Sequence, residues 1–382
     1  MSEKDLTVNK KTSSRLFEVD VIKAFAILWM VLVHAYEYMG NIVYLTVMPE
    51  DFFRNFIEFA GGPLAAPVFM FAMGIGMVYT RHDSPGEFAK RGIKLIIGGY
   101  VLNFFRITSL YMLADALEIE KNTVFTTFES FFIVDVLHLA GLSFLLVALL
   151  KVIKVKAIPT LCLALVMLVI GGFFTTSIGT RTLAENTAIS DLILGLFIFS
   201  GKTTAFPLLL WFVYPASGMV FGEILQKTED RASLYKKLLA GSVIVCGLVS
   251  VIYTWIGQDV RYFHTLAYEK YYMNDLYHYV FTISVVLIAL TLAFFIFRRA
   301  QDTGFGRFIT YCSVNLNTIY VCQWLLISGT LTVMAFAELE NVGPAGIVIA
   351  GIIITAVATG LSYVWKMIRN KIRKMSTSTY EI

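Results

Sequence analysis

The chain has 382 residues, of which 57% are hydrophobic and only 15% charged, with a mean hydropathy of +0.72. A soluble domain carries about 25% charged residues, so a soluble fold is excluded, and a net charge of +4 does not suggest a nucleic-acid partner. The apolar runs are too long and too uniform for barrel strands of about 10 residues, which leaves an all-α polytopic membrane helix bundle.

Ten spans are predicted in chain order, near 19–39, 56–80, 92–113, 128–150, 157–175, 206–226, 237–256, 276–297, 308–333 and 345–365. No secretory signal is read, because the first run lacks a small-residue cleavage site. Cys162, Cys246, Cys312 and Cys322 all fall inside spans and read as small core residues, not as a disulfide set or a metal site. Lys and Arg crowd the connections on one side, from Lys4, Lys10, Lys11 and Arg15 to Lys366, Arg369, Lys371, Arg373 and Lys374. The other side has Arg54, Lys121, Arg181, Lys202, Arg261 and Lys270. By the positive-inside rule both termini are cytoplasmic. This divides the chain into a cytoplasmic segment 1–18, a membrane domain 19–365 and a basic cytoplasmic tail 366–382. Two outer connections are long. Residues 176–205 contain DLILGLFIF, too short to span. Residues 257–277 carry Tyr262, Phe263, His264, Tyr268, Tyr271, Tyr272 and Tyr277, which fit either interfacial anchors or a stacking surface for a sugar.

Ionisable groups inside spans are costly and mark function by default. Span 1 carries Asp20, Lys23 and His34. At about 100° and ~1.5 Å per residue, Lys23 and His34 lie within roughly 20° in rotation and ~16 Å apart along the axis, with Asp20 near the same stripe and paired at i,i+3 with Lys23. His34, Arg106 of span 3 and Asp135 of span 4 each lie ~21–22 Å from the cytoplasmic end of their span. Asn315, Asn317, Tyr320 and Gln323 of span 9 fall ~12–24 Å past Arg307. These groups are expected to meet in a polar chamber in the outer half of the membrane. Arg106 and Asp135 also fit a plain buried ion pair, and Asn315, Asn317 and Gln323 fit interhelical hydrogen bonds. His138 reads as a packing histidine. Lys90, Arg91 and Lys94 open span 3 beside Lys23, and fit either topology or an anion site for a phosphorylated molecule.

At these residues the chain resembles the transmembrane acyltransferases, the acyltransferase-3 family and the heparan-α-glucosaminide N-acetyltransferase-like family. Arg15, Asp20, Lys23, Ala26 and His34 match the span-1 pattern of the former, with Lys23 where Arg is usual. GGPLAAPVFMFAMGIGMVYT (61–80), VDVLHLAGLSFLL (134–146) and KRGIK (90–94) look more like the latter, and SVNLNTIYVCQWLL (313–326) is similar to a late span of these enzymes. The basic signature is reduced to Lys90, Arg91 and Lys94, and no esterase-like domain is recognised. Human lysosomal-type members place their catalytic His in a loop, so only the acyltransferase-3 role is carried to His34.

The resemblance implies that 19–365 is an acyltransferase-like domain in the plasma (cytoplasmic) membrane. It implies transfer of an acyl group, most readily acetyl, from cytoplasmic acyl-CoA to a hydroxyl or amine of a carbohydrate or glycolipid acceptor outside. In that reading His34, Arg106 and Asp135 are catalytic, Lys23, Lys90, Arg91 and Lys94 hold the acetyl-CoA phosphates, and Asn315, Asn317, Tyr320 and Gln323 meet the acceptor. Membrane lipids surround the bundle, no metal is required, and a homo-oligomer is left open. The rival readings are a proton-coupled secondary transporter, although matching interrupted helices in two halves are not seen, and a non-catalytic partner in envelope glycan assembly.

Overall fold

A computed structural model describes residues 15–40, 47–118, 126–176, 189–199, 203–267, 270–337, 339 and 341–378. Lys4, Lys10, Lys11, Lys121, Arg181, Lys202 and Tyr268 therefore lie outside the described residues. Among the described residues, nine helical stretches are long and apolar enough to cross a bilayer, and a tenth apolar helix, Val136–Val152, is shorter. They follow the ten expected spans in order. The protein is an all-α polytopic bundle whose only extended pairing among the described residues is one isolated bridge, Val134 with Thr204.

Helix α1 (Phe17–Met39) is the centre of the bundle. It packs on six neighbours, and Ala26, Val31 and Ala35 have no exposed surface. Those neighbours begin with α2 (Phe52–Gly61) and α3 (Ala66–Tyr79). These two halves of span 2 are separated at Gly62–Ala65, where Pro63 has no N–H to continue a helix. A Cβ on Gly61 would fall 2.2 Å from Val33 Cβ, so the glycine lets α2 touch α1.

Span 3 is α4 (Pro85–Asn103), a π-helical turn (Phe104–Thr108) and α5 (Ser109–Ala116). Span 4 is shorter than expected. A short α6 (Thr127–Phe131) precedes α7 (Val136–Val152), and Asp135 is the N-cap of α7, not a residue within the helix. Helix α4 packs along α7 at small residues, since a Cβ on Gly92 would lie 2.7 Å from the Gly141 carbonyl.

Beyond α8 (Ala157–Phe174) and the short α9 (Ile189–Leu194) come α10 (Leu208–Trp211) and α11 (Val213–Lys227). The α3–α11 contact is backbone on backbone. A Cβ on Gly74 would meet the Pro215 carbonyl at 2.0 Å, and one on Gly218 the Phe71 carbonyl at 2.0 Å. Helix α12 (Arg231–Trp255) is peripheral, with Val243, Ile244, Leu248 and Val251 exposed as lipid-facing residues are. It packs against α13 (Leu276–Phe297).

Span 9 is broken at Asn315 into α14 (Gly304–Val314) and α15 (Leu316–Phe336). The last helix, α16 (Pro344–Ser378), runs well past the expected end of span 10. No proline or glycine follows Gly360 to stop it, so residues 366–378 of the basic tail are helical. Of the cysteines only Cys312 is buried, while Cys162 is exposed; the expectation of four core residues fails at the lipid-facing side of α8.

Candidate active site

Three irregularities of the helices meet beside the C-terminal half of α1. The π-helical turn widens one turn of span 3 and carries Arg106, which is 3% exposed. The start of α7 presents Asp135 as its cap, with Val136 N–H donating to Oδ1 at 2.6 Å. Beyond the break at Asn315, α15 presents Tyr320, Gln323 and Trp324, all buried.

Arg106 Nη1 lies 2.8 Å from Asp135 Oδ2 as a buried ion pair. Tyr320 OH donates to the same carboxylate oxygen at 2.6 Å. Arg106 Nη2 donates to Asn103 Oδ1 at 2.9 Å, and Asn103 in turn donates to the carbonyls of Phe131 and Ile133 at 3.0 and 2.7 Å. This fixes the guanidinium to the loop that precedes Asp135. Arg106 also lies 4.1 Å above the Trp324 ring, and its buried Nε has no hydrogen-bond acceptor among the described residues.

His34 lies 4.1 Å from the Trp324 ring, tilted by 30°. Its Nδ1 is 3.4 Å from both the Oε1 and the Nε2 of Gln323. With Oε1 facing the ring, Nδ1–H donates to the amide and Nε2 keeps its lone pair. One side chain thus contacts the imidazole, and in the opposite amide orientation Gln323 Nε2 donates to Nδ1 instead.

These groups line one cavity with about 740 Å³ of empty space, counting the part open at its mouth. His34, Arg106, Asp135 and Tyr320 reach it from four of the helical spans. The sequence reading brought these four together correctly, with Gln323 directly behind His34. It did not find Glu37, Tyr38 and Trp324, which also line the cavity, while Tyr271 and Tyr272, left between interfacial anchors and a sugar-stacking surface, line it too. Glu37 had a signal, being a second ionisable residue one turn from His34 on the same face. Tyr271 is buried and donates to the Gly62 carbonyl at 3.0 Å. At least these two tyrosines of the outer connection form a cavity wall and are not merely interfacial anchors.

Two expected members are elsewhere. Asn315 donates to the Tyr311 carbonyl at 2.8 Å, which also accepts the Asn315 backbone N–H at 3.1 Å, and Asn317 is exposed. Neither lines the cavity, which Tyr320 and Trp324 reach from further along α15. His138 packs in the bundle as expected, but it is not fully satisfied, since its buried Nε2 has no hydrogen-bond partner among the described residues. Its Nδ1 accepts the Asp135 N–H at 3.2 Å in the capping box, and its ring fills the space over Gly99, where a Cβ would lie 2.6 Å from Cε1.

At the opposite end of α1 the expected Asp20–Lys23 pair does not form. Asp20 is taken by Arg15, in an ion pair, and by Ser313 Oγ at 2.5 Å. Lys23 donates instead to the Ser313 carbonyl at 3.0 Å, one of the C-terminal carbonyls of α14 left open by the break at Asn315. Lys90, Arg91 and Lys94 are exposed on the first turns of α4, with Arg91 stacked 4.5 Å over Phe144. The structure thus separates a basic surface from the chamber along the length of α1.

Compared with known families, residues 15–259 match the model described as heparan-alpha-glucosaminide N-acetyltransferase, catalytic. The match includes His34, Arg106, Asp135 and the whole basic surface of α4, and ends before α13 and α15. No curated protein matches the chain.

Proposed function

The chain belongs to the heparan-α-glucosaminide N-acetyltransferase catalytic family, and from that premise we propose that it moves an acetyl group from cytoplasmic acetyl-CoA to a hydroxyl or amine of an extracytoplasmic glycan or glycoconjugate. The multi-pass bundle and the family make it a membrane acetyltransferase. The donor, the sidedness, the plasma membrane and the acceptor class belong to this reading.

The observation that carries it is the position of His34. It lies in a cavity deep along α1 with Nδ1 3.4 Å from the Gln323 amide, and the tautomer that donates from Nδ1 to Oε1 leaves Nε2 as the base. An imidazole so held can take the proton of an attacking O–H or N–H as the new acyl bond forms. It returns that proton to the departing CoA sulfur as the thioester bond breaks. For a hydroxyl acceptor the products are an ester and a thiol, and no net proton is released. Negative charge develops on the thioester oxygen at the same moment. Arg106, buried in the same cavity, stabilises it, while Asp135 and Asn103 hold the guanidinium in place. The phosphates of the donor stay at the cytoplasmic mouth, where Lys90, Arg91 and Lys94 are exposed. Lys23, about 16 Å from His34 along the helix, contributes charge there while it caps α14.

The test uses sealed vesicles of known orientation. Acetyl-CoA on the cytoplasmic face should acetylate an acceptor confined to the other face, with CoA released on the side of supply. His34→Ala should insert normally, still bind CoA and lose transfer by about 10²-fold or more. Transfer that requires donor and acceptor on one face overturns the trans-membrane reading. Gradient-driven passage of an intact solute with no acyl movement replaces it with a carrier.

A further inference from the structure

Among the carboxylates in the membrane bundle, Glu37 differs from the rest. Asp20 and Asp135 are held by Arg15 and Arg106. Glu58 accepts Tyr36 OH at 2.6 Å and the Leu266 N–H at 3.2 Å, with Arg54 at 3.9 Å. Glu18 accepts Tyr235 OH at 2.9 Å. Glu129 closes a capping box with the Thr126 N–H at 2.7 Å. Glu37 is half-buried and lines the chamber, and its hydrogen bond among the described residues is a long one, from Tyr272 OH at 3.4 Å. No cation among the described residues lies within ion-pair distance of it.

A carboxylate withdrawn from water with one weak donor is destabilising. The cost is offset if a ligand supplies O–H or N–H donors, since hydrogen bonds to a charged acceptor are the strong ones. Glu37 is placed for such a ligand. It stands one helical turn beyond His34 on the same face of α1, where side chains at i and i+3 are about 5–6 Å apart. Phe206, Tyr271 and Tyr272 line the same cavity and offer aromatic faces to the apolar side of a ring-shaped molecule. Aromatic walls with a few placed polar groups are the usual make-up of a small-molecule site.

We propose that Glu37 is the acceptor-binding residue of the chamber, taking hydrogen bonds from hydroxyl or ammonium groups of the acceptor so that the reacting group faces His34. This rests on the acyl-transfer reading above. Tyr272 keeps the carboxylate turned toward the cavity when the acceptor is absent.

The test compares wild type, Glu37→Gln and Glu37→Asp with two probe acceptors, glucosamine and methyl glucoside. The expected result is a KM for the acceptor raised at least tenfold by Glu37→Gln and partly restored in Glu37→Asp. CoA affinity should stay within twofold, and the Tm should not fall, since the side chain makes one long hydrogen bond among the described residues. A loss confined to glucosamine assigns the contact to the ammonium; equal losses assign it to hydroxyls. Unchanged acceptor KM overturns the assignment, as does a lowered Tm with weakened CoA binding, which would make Glu37 structural. Wild-type protein that takes neither sugar overturns the glycan reading and this assignment together, whereas wild type that takes them with an indifferent Glu37→Gln overturns this assignment alone.

Discussion

Arg106→Gln tests whether the buried pair with Asp135 is structure, chemistry or both. The substitution leaves the Asp135 side chain, 13% exposed, with the Tyr320 hydroxyl and the Val136 and His138 N–H groups as its donors. Removing one partner of a buried ion pair costs about 3–5 kcal/mol. The lost contact with the Trp324 ring, worth about 1–2 kcal/mol for a desolvated pair, puts Arg106→Gln toward the upper end of that range. Asp135→Asn costs less on its own side, because the Asn oxygen still caps α7 and its NH2 can donate to the Tyr320 oxygen, but it strands the guanidinium. The double variant carries no stranded charge and should recover most of the loss, so the coupling between the two sites should be about 2–3 kcal/mol. Equilibrium unfolding in detergent measures stability, and acetyl transfer measures chemistry in the same preparations. If Arg106 stabilises the oxyanion, the double variant regains its stability and remains inactive by about 10²-fold or more. Single variants that each cost under about 1 kcal/mol would refute the buried-pair energetics. A double variant that regains transfer would show that the charge has no part in the reaction.

Glutamine at Lys90, Arg91 and Lys94 should weaken CoA more than dephospho-CoA, and added salt should narrow the difference, because these side chains are exposed and their field is screened within about 10 Å at 0.1 M salt; titration of both ligands checks this, and equal losses would leave the residues a topological role only. His264 of the outer connection is pushed down to about 4 by burial, against Phe59 and Asn55 with Asp259 and Arg261 as its charged neighbours. The neutral ring is the folded form, so its contribution is complete above about pH 6.5 and is lost as pH falls toward 4, to a limit of about 3 kcal/mol. Melting curves between pH 7 and 4 should show that slope in the wild type and a shallower one in His264→Asn.

The number and order of the spans were legible because a bilayer demands long apolar helices and little else of composition resembles them. Depth counting also brought His34, Arg106, Asp135 and Tyr320 together, since rise per residue converts sequence distance into position along a helix. The depth of residues near a break was not legible. Asn317 and Trp324 lie within roughly 20° of each other on α15 but ~10 Å apart along it, and it is Trp324 that reaches the chamber. Lys23 was paired with Asp20 by i,i+3 spacing alone, but Ser313 and Arg15 come from outside that turn and compete for both partners. Tyr271 and Tyr272 belong to a connection whose path no periodicity reports.

The irregular segments point to the function as clearly as the ionisable residues do. Backbone that leaves the α-helical ladder at membrane depth is tolerated only where protein or a polar cavity receives its freed groups. The π-helical turn at Phe104–Thr108, the cap at Asp135 and the start of α15 after Asn315 all border the same chamber. Each delivers one polar or aromatic group that a continuous helix would aim elsewhere: Arg106, the Asp135 carboxylate, and the Tyr320–Trp324 face. The fourth wall, α1, is unbroken through its 23 residues and carries His34 and Glu37. A continuous helix that bears the proposed proton-transferring group, ringed by helices that present their charges to it, fits the preorganisation that acyl transfer requires. Polar groups held in a fixed field in this way need not reorganise as charge develops. A carrier of the same size would need the opposite, breaks on the element that moves. Here the irregularity lies around α1 and not within it.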